Sequence, residues 1–367
     1  MQFKKFKKLH SINNDVVIPA LEKCMQEPTA DKILIRKEIE KVYSCGSIIY
    51  TIRCNQCGQD HFKGFSRCKS KFCALCNQTK ARMWVARLFQ FCKDWLSAGK
   101  YIVFLNFTIR DRDNLEKGLN VLEKAWHEMT SENVKFRKVF KSKFPGGVRS
   151  LEIKLGEKSN LWHPHLHCLA LKDKPSKDTY FLHYAWPLAV HAAGGDIDER
   201  NLKILPFSPY DKSNVVDRES FNLELVKSIA EVVKYIVKVD YASLPPERLA
   251  ELVPAVKGKR QINLWGVLYN LKQVVDGDME TMSERELKEF VCQVCGCTSG
   301  TMNSLARYIW ENDYIIDLVQ TPIEKLPDEK FVESIKRKNG KLPPLPPPKP
   351  IGPMQIQFDF DKLLDEK

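Results

Sequence analysis

The chain has 367 residues, enough to bury a substantial core and to hold more than one domain. Lys and Arg number 58 against 46 Asp and Glu, a formal net charge of +12 with a pI near 9.0, which points to an anionic partner such as nucleic acid. No run of eighteen apolar residues occurs, which excludes a membrane-spanning helix, and the basic segment Met1–Lys8 carries no apolar signal, so a cytoplasmic protein is expected. In sequence order, residues 1–50 read as a basic lead-in with a helix near Val16–Gln26, and residues 51–80 as a Cys-rich module. Within 81–245, Trp84, Leu88, Phe91 and Trp95 recur at helical spacing and predict a core helix over Ala81–Leu96, after which strands mix with helices. Residues 246–320 read as mostly helical. From Lys341 to Pro353 seven of thirteen residues are proline, which makes 321–353 an extended linker before the tail, 354–367.

Between Trp162 and Leu171 three of the eight histidines alternate in an apolar run. A period of two puts His163, His165 and His167 on one face of a strand and Leu166, Cys168 and Ala170 on the other. Unpartnered imidazoles beside the apolar run Cys168–Leu171 would be costly, so the pattern favours metal ligation. The run Val148–Leu155 reads as the preceding strand, joined by a hairpin around Gly156–Asn160. Leu151, Ile153 and Leu155 share one face there, which turns Glu152 to the other. Glu152 and His163 therefore compete to be the third ligand beside His165 and His167. A carboxylate favours Mg²⁺ or Mn²⁺, whereas three imidazoles lean towards softer ions.

The segment Leu223–Val239 lacks Gly and Pro, and Leu225, Ile229, Val232, Val233 and Ile236 form one helical stripe. Glu231, Tyr235 and Lys238 fall together on a separate face at i, i+4 and i+7. A tyrosine needs a nearby cation, here Lys238 or Lys234, to act as a nucleophile, and Glu231 could serve as a general base.

There are twelve cysteines, which in a cytoplasmic protein are metal ligands or buried thiols more often than disulfides. Cys54-x2-Cys57 followed by Cys73-x2-Cys76 fits a four-thiolate zinc site, with Cys68 able to replace one of the four. Lys63, Arg67, Lys69, Lys71, Lys80, Arg82 and Arg87 surround these cysteines and suit phosphate contacts. Cys292-x2-Cys295-x-Cys297 also suggests a metal, but no histidine follows residue 191 to supply a further ligand nearby.

The triplet His165-Leu166-His167 together with the tyrosine helix resembles the HUH endonucleases. The closer resemblance is to rolling-circle replication initiators of small bacterial plasmids. It rests on Phe104–Ile109, on the "His-Pro-His-x-His" strand and on the Glu-x-x-x-Tyr helix, in the same order, and covers roughly residues 100–241. Arg67–Cys76 resembles the cysteine cluster of the same proteins, with Ala74 where they usually carry Pro. The resemblance implies an α+β domain with a central antiparallel sheet and flanking helices, which nicks and joins DNA. It makes Tyr235 the nucleophile and has Glu231 assist termination, with a single-stranded origin as substrate and the host helicase and polymerase as partners. Rolling-circle transposases share the cysteine cluster and the histidine strand. A non-catalytic zinc-containing DNA-binding regulator, or a zinc hydrolase using the three histidines, would have no use for Tyr235. The tail segment Gln355–Phe360, apolar at alternate positions, resembles the Gln-Leu-x-Leu-x-Leu type of peptide that docks on the replicative sliding clamp.

Overall fold

A computed structural model describes residues 3–156, 159–174, 180–197, 202–207, 218–233, 244–269, 291–298, 300–309, 314–316 and 319–322. The helices begin with α1 (Phe3–Ile12), which runs through a π-helical turn into α2 (Ile18–Cys24), and continue with α3 (Lys32–Ser44). The hairpin of β1 (Ile48–Cys54) and β2 (Asp60–Phe65) comes next, then α4 (Ala74–Ser97) and β3 (Tyr101–Thr108). They are followed by α5 (Leu115–His127), α6 (Val134–Lys143), β4 (Gly146–Leu155), β5 (Trp162–Lys172) and α7 (Tyr180–Ala192). The remaining elements are β6 (Leu202–Phe207), α8 (Arg218–Val233), α9 (Pro246–Ala255), β7 (Ile262–Gly266), β8 (Gly300–Ile309), β9 (Tyr314–Ile316) and β10 (Val319–Pro322). Among the described residues, no helix is long and apolar enough to cross a membrane.

The described residues gather into two compact units. One draws on the spans Met1–Asn77, Asp240–Pro246 and Gly277–Gln355, the other on Gln78–Val239 and Glu247–Asp276. In the first, β1 pairs antiparallel with β2 on one side and with β8 on the other, and β8 also carries β10 and β9. Helix α3 starts on Asp31, whose carboxylate accepts the Leu34 N–H at 2.9 Å, and it buries Ile35 and Val42.

The second unit is a five-stranded, wholly antiparallel sheet in the order β6-β3-β5-β4-β7. This bears out the expected α+β class and central antiparallel sheet. Opposed residues in an antiparallel pair share a face. Phe107 faces Leu166 and Leu105 faces Cys168, so these side chains cover one side. There Phe107 meets Trp186 of α7 (ring centroids 4.9 Å) and Trp126 of α5 (5.7 Å, edge-on), in a core closed by Phe140 and Phe144. The Trp186 indole N–H donates to the Thr108 carbonyl at 2.8 Å, which satisfies the one polar atom of a fully buried ring. The opposite side of β4 and β5 packs against α8, whose Leu225, Ile229, Val232 and Val233 are buried as the stripe predicts.

The C-terminal stretch differs from expectation. Among its described residues only α9 is helical, whereas β7 pairs with β4 as an edge strand and β8, β9 and β10 complete the other sheet. The partners of β7 and β8, which are β4 and β1, lie far earlier in the sequence, and such long-range pairing overrides weak local preference. The proline-rich linker and the Gln355–Phe360 peptide lie outside the described residues.

Candidate active site and metal centres

The register of β4, β5 and β3 assembles the site. Glu152 lies opposite His165, Ser150 and Asn106 lie opposite His167, and Thr108 lies opposite His165, so all these side chains share the face towards α8. The Glu152 carboxylate contacts His165 Nε2 and lies 2.9 Å from His167 Nε2, with the two imidazole centroids 4.6 Å apart. Glu152 and His165 are buried, and His167 is partly open. Burial alone would raise the Glu152 carboxyl, but hydrogen bonds from His165 and His167 outweigh it and hold the group well below the usual carboxylate range. One carboxylate oxygen and two imidazole nitrogens lie within 4.8 Å of one another, a donor set that could hold a divalent cation.

His163 is on the same face, its ring centroid 5.1 Å from that of His165, but it is not part of this donor group. Its Nδ1 lies 2.6 Å from Asp111, and its carbonyl approaches His165 Nδ1 at 3.2 Å. Of the two competing third ligands, Glu152 is the one that converges with His165 and His167. Asp111, two residues beyond Ile109, carried no sequence signal, because its role depends on where β3 ends beside β5.

Helix α8 brings Glu231 to a cleft of about 350 Å³ whose lining includes Asn106, His167, Lys203 and Ser228. Glu231 itself is exposed. Lys203 escaped sequence reasoning. It enters because β6 pairs with β3 and sets Lys203 opposite Asn106. Tyr235, Lys234, Lys238 and Tyr241 lie outside the described residues.

The cysteines regroup. Cys54 and Cys57 do not share a site with Cys73 and Cys76, as the spacing suggested. Instead Cys45, Cys68, Cys73 and Cys76 form one cluster, and Cys54, Cys57, Cys292 and Cys295 another. The pairs stand on different elements: β1 ends at Cys54, whereas Cys76 is inside the first turns of α4. Cys68, the spare thiol, joins the first cluster, and so does Cys45, whose lone position in the sequence gave no spacing to read. In that cluster Cys76 Sγ lies 3.6 Å from Cys45 Sγ and 3.7 Å from Cys68 Sγ. Hydrogen bonds from Cys45, then Cys68 and Cys73, hold the Cys76 thiol far below its ordinary range despite burial. Asn13 supports it from the π-helical turn, its amide reaching Cys73 Sγ at 3.3 Å while its oxygen accepts the Ala74 N–H at 2.8 Å. Four sulfurs so placed suit a thiophilic ion such as zinc.

Comparison with known proteins gives the family. A family model described as "Replication protein" matches residues 60–293, a span that takes in β4, β5 and α8. A protein named Protein rep from Lactiplantibacillus plantarum is 27% identical over 275 residues, 69% of this chain and 82% of that protein. Another Protein rep, from Streptococcus pneumoniae serotype 2 (strain D39 / NCTC 7466), is 21% identical over 256 residues, 67% of this chain and 76% of its own length. No solved structure matches. The resemblance to plasmid replication initiators read from the motifs is thereby borne out, and the chain belongs to the Replication protein family.

Proposed function

We propose that this replication protein is an HUH endonuclease that starts rolling-circle plasmid replication by cutting one strand at the origin. The observation that carries the reading is the convergence of Glu152, His165 and His167 on the sheet face that α8 covers, with Glu231 and His167 lining one cleft. A Mg²⁺ or Mn²⁺ ion held by those three side chains would supply Lewis-acid polarisation of a phosphodiester. Lys203, on the same cleft, offers a cation to the phosphate oxygens.

The nucleophile in this reading is Tyr235, four residues after Glu231. Its oxygen attacks phosphorus as its proton is lost, the bond to the 3′ oxygen breaks, and that oxygen leaves as a hydroxyl after taking up a proton. The phosphate stays on the tyrosine as a diester, which conserves the bond for rejoining. Lys234 and Lys238 favour the phenolate by charge. Glu231 acts as general base for the second, terminating cut. Zinc held by Cys45, Cys68, Cys73 and Cys76 would be structural.

The test uses single-stranded origin oligonucleotides with added Mn²⁺. A covalent adduct should map to Tyr235 by mass spectrometry. Tyr235→Phe should abolish adduct and nicking while DNA binding stays close to wild type. An adduct that persists in Tyr235→Phe, or that maps to Tyr241, overturns the assignment.

A further inference from the structure

The second cysteine cluster is built from two loops of the same design. Cys54-Asn55-Gln56-Cys57-Gly58 and Cys292-Gln293-Val294-Cys295-Gly296 share the pattern Cys-x-x-Cys-Gly. In both, the glycine has φ of +71°, a conformation that a side chain would strain. The glycine N–H returns to the carbonyl of the first cysteine, at 2.9 Å for Gly58 to Cys54 and 2.8 Å for Gly296 to Cys292. The N–H of the first cysteine bonds the carbonyl five residues on, Cys54 to Gln59 at 2.9 Å and Cys292 to Cys297 at 2.8 Å. Backbone N–H groups of the loops also point at the sulfurs: those of Gln56 and Cys57 at Cys54, and those of Val294 and Cys295 at Cys292.

The two loops face each other. Cys54 Sγ lies 3.4 Å from Cys295 Sγ, and Cys57 Sγ lies 3.6 Å from Cys292 Sγ. A disulfide would bring sulfurs to about 2.05 Å. Four thiolates around a tetrahedral zinc at about 2.3 Å stand roughly 3.8 Å apart, close to the spacing found. His61 Nε2 sits 3.3 Å from Cys292 Sγ, as a supporting donor would. Three of these cysteines, Cys54, Cys57 and Cys295, lie outside the span 60–293 that the family model matches.

We propose that Cys54, Cys57, Cys292 and Cys295 bind a zinc ion as a tetrathiolate, a second centre distinct from the Cys45 cluster, and that this ion ties the segment following Cys295 onto β1. The ligand pairs are 235 residues apart at Cys57 and Cys292, and a metal clip that closes a long loop restricts the unfolded polypeptide most. The strands that follow, β8 with β9 and β10, then add to β1 in register from Cys54 opposite Gly300 to Ile48 opposite Arg307. The proposal is independent of the nicking reading, since none of its ligands takes part there.

The test is made on the 367-residue protein, dialysed to remove loosely held metal. Cys292→Ser with Cys295→Ser should hold one zinc ion fewer per molecule than wild type, and amide exchange in β8 should rise. A second measurement needs no variant. Cys57 and Cys295 are exposed, so they should react quickly with iodoacetamide unless metal covers them. They should stay unlabelled in the native protein and become labelled in guanidinium with chelator. Unchanged zinc content in the double variant, prompt native labelling of both thiols, a disulfide among the four, or the visible absorption of bound iron would each overturn the proposal.

Discussion

At the residue scale the candidate site turns on one carboxylate. Glu152 Oε2 is shared between His165 and His167, so Glu152→Gln keeps shape but replaces the charge that a divalent ion would meet. The expected outcome is a rise of more than about tenfold in the Mn²⁺ needed for half-maximal nicking, with the fold intact by circular dichroism. An unchanged Mn²⁺ requirement would remove Glu152 from the ligand set. At His10 the balance goes the other way, and burial decides the shift. Burial pushes its imidazole down to about 4, and its Nδ1 lies 2.7 Å from the Asn14 amide, which can donate to the neutral ring. Since the folded group binds its proton only near pH 4 and the unfolded one near 6.5, the unfolded state takes up more protons in between. Stability from His10 is therefore complete above about pH 6.5 and is lost as pH falls towards 4, by about 3 kcal/mol. His10→Asn should flatten this part of the pH profile of urea unfolding, and parallel profiles would refute the assignment.

At the element scale α8 joins packing to chemistry. Its apolar stripe, with Leu225 and Ile229 fully buried, presses on the sheet and so sets the position of Glu231 over the cleft. Ile229→Ala should cost about 2–4 kcal/mol in urea unfolding through the cavity it leaves. A cost near zero would mean that α8 does not pack as described. The stripe was legible in the sequence because a helix repeats every 3.6 residues whatever it packs on. The strand character of β8 was not, because its ladder to β1 is formed by residues far away in the sequence.

At the scale of the whole molecule, the net charge of +12 bears on the DNA binding that membership of the family implies. Phosphate contacts release counterions, so affinity for origin DNA should fall with a steep negative slope of log K against log salt. Six or more contacts would lose about a thousandfold between roughly 50 and 200 mM salt. A flat salt response would show that the charge serves solubility alone. Both units also need partners from distant parts of the sequence. The described residues of α9 and β7 join the unit that holds the histidine strand, whereas β8, β9 and β10 belong with the one that holds β1.

By itself the sequence determined the local features: the alternating histidines, Glu152 on the matching face of the preceding strand, the amphipathic stripe of α8 and the pairing of cysteines two residues apart. Each follows from a fixed geometric period, two for a strand, 3.6 for a helix, or the short loop of a metal knuckle. Which pairs meet depends on how the strands and helices come together in three dimensions. The tertiary structure joined Cys54 and Cys57 to Cys292 and Cys295, gave Cys73 and Cys76 to Cys45 and Cys68, turned His163 to Asp111, and brought Lys203 beside Asn106. Spacing along the sequence carries no information about such partners, because strand order and register, not proximity in sequence, place them side by side.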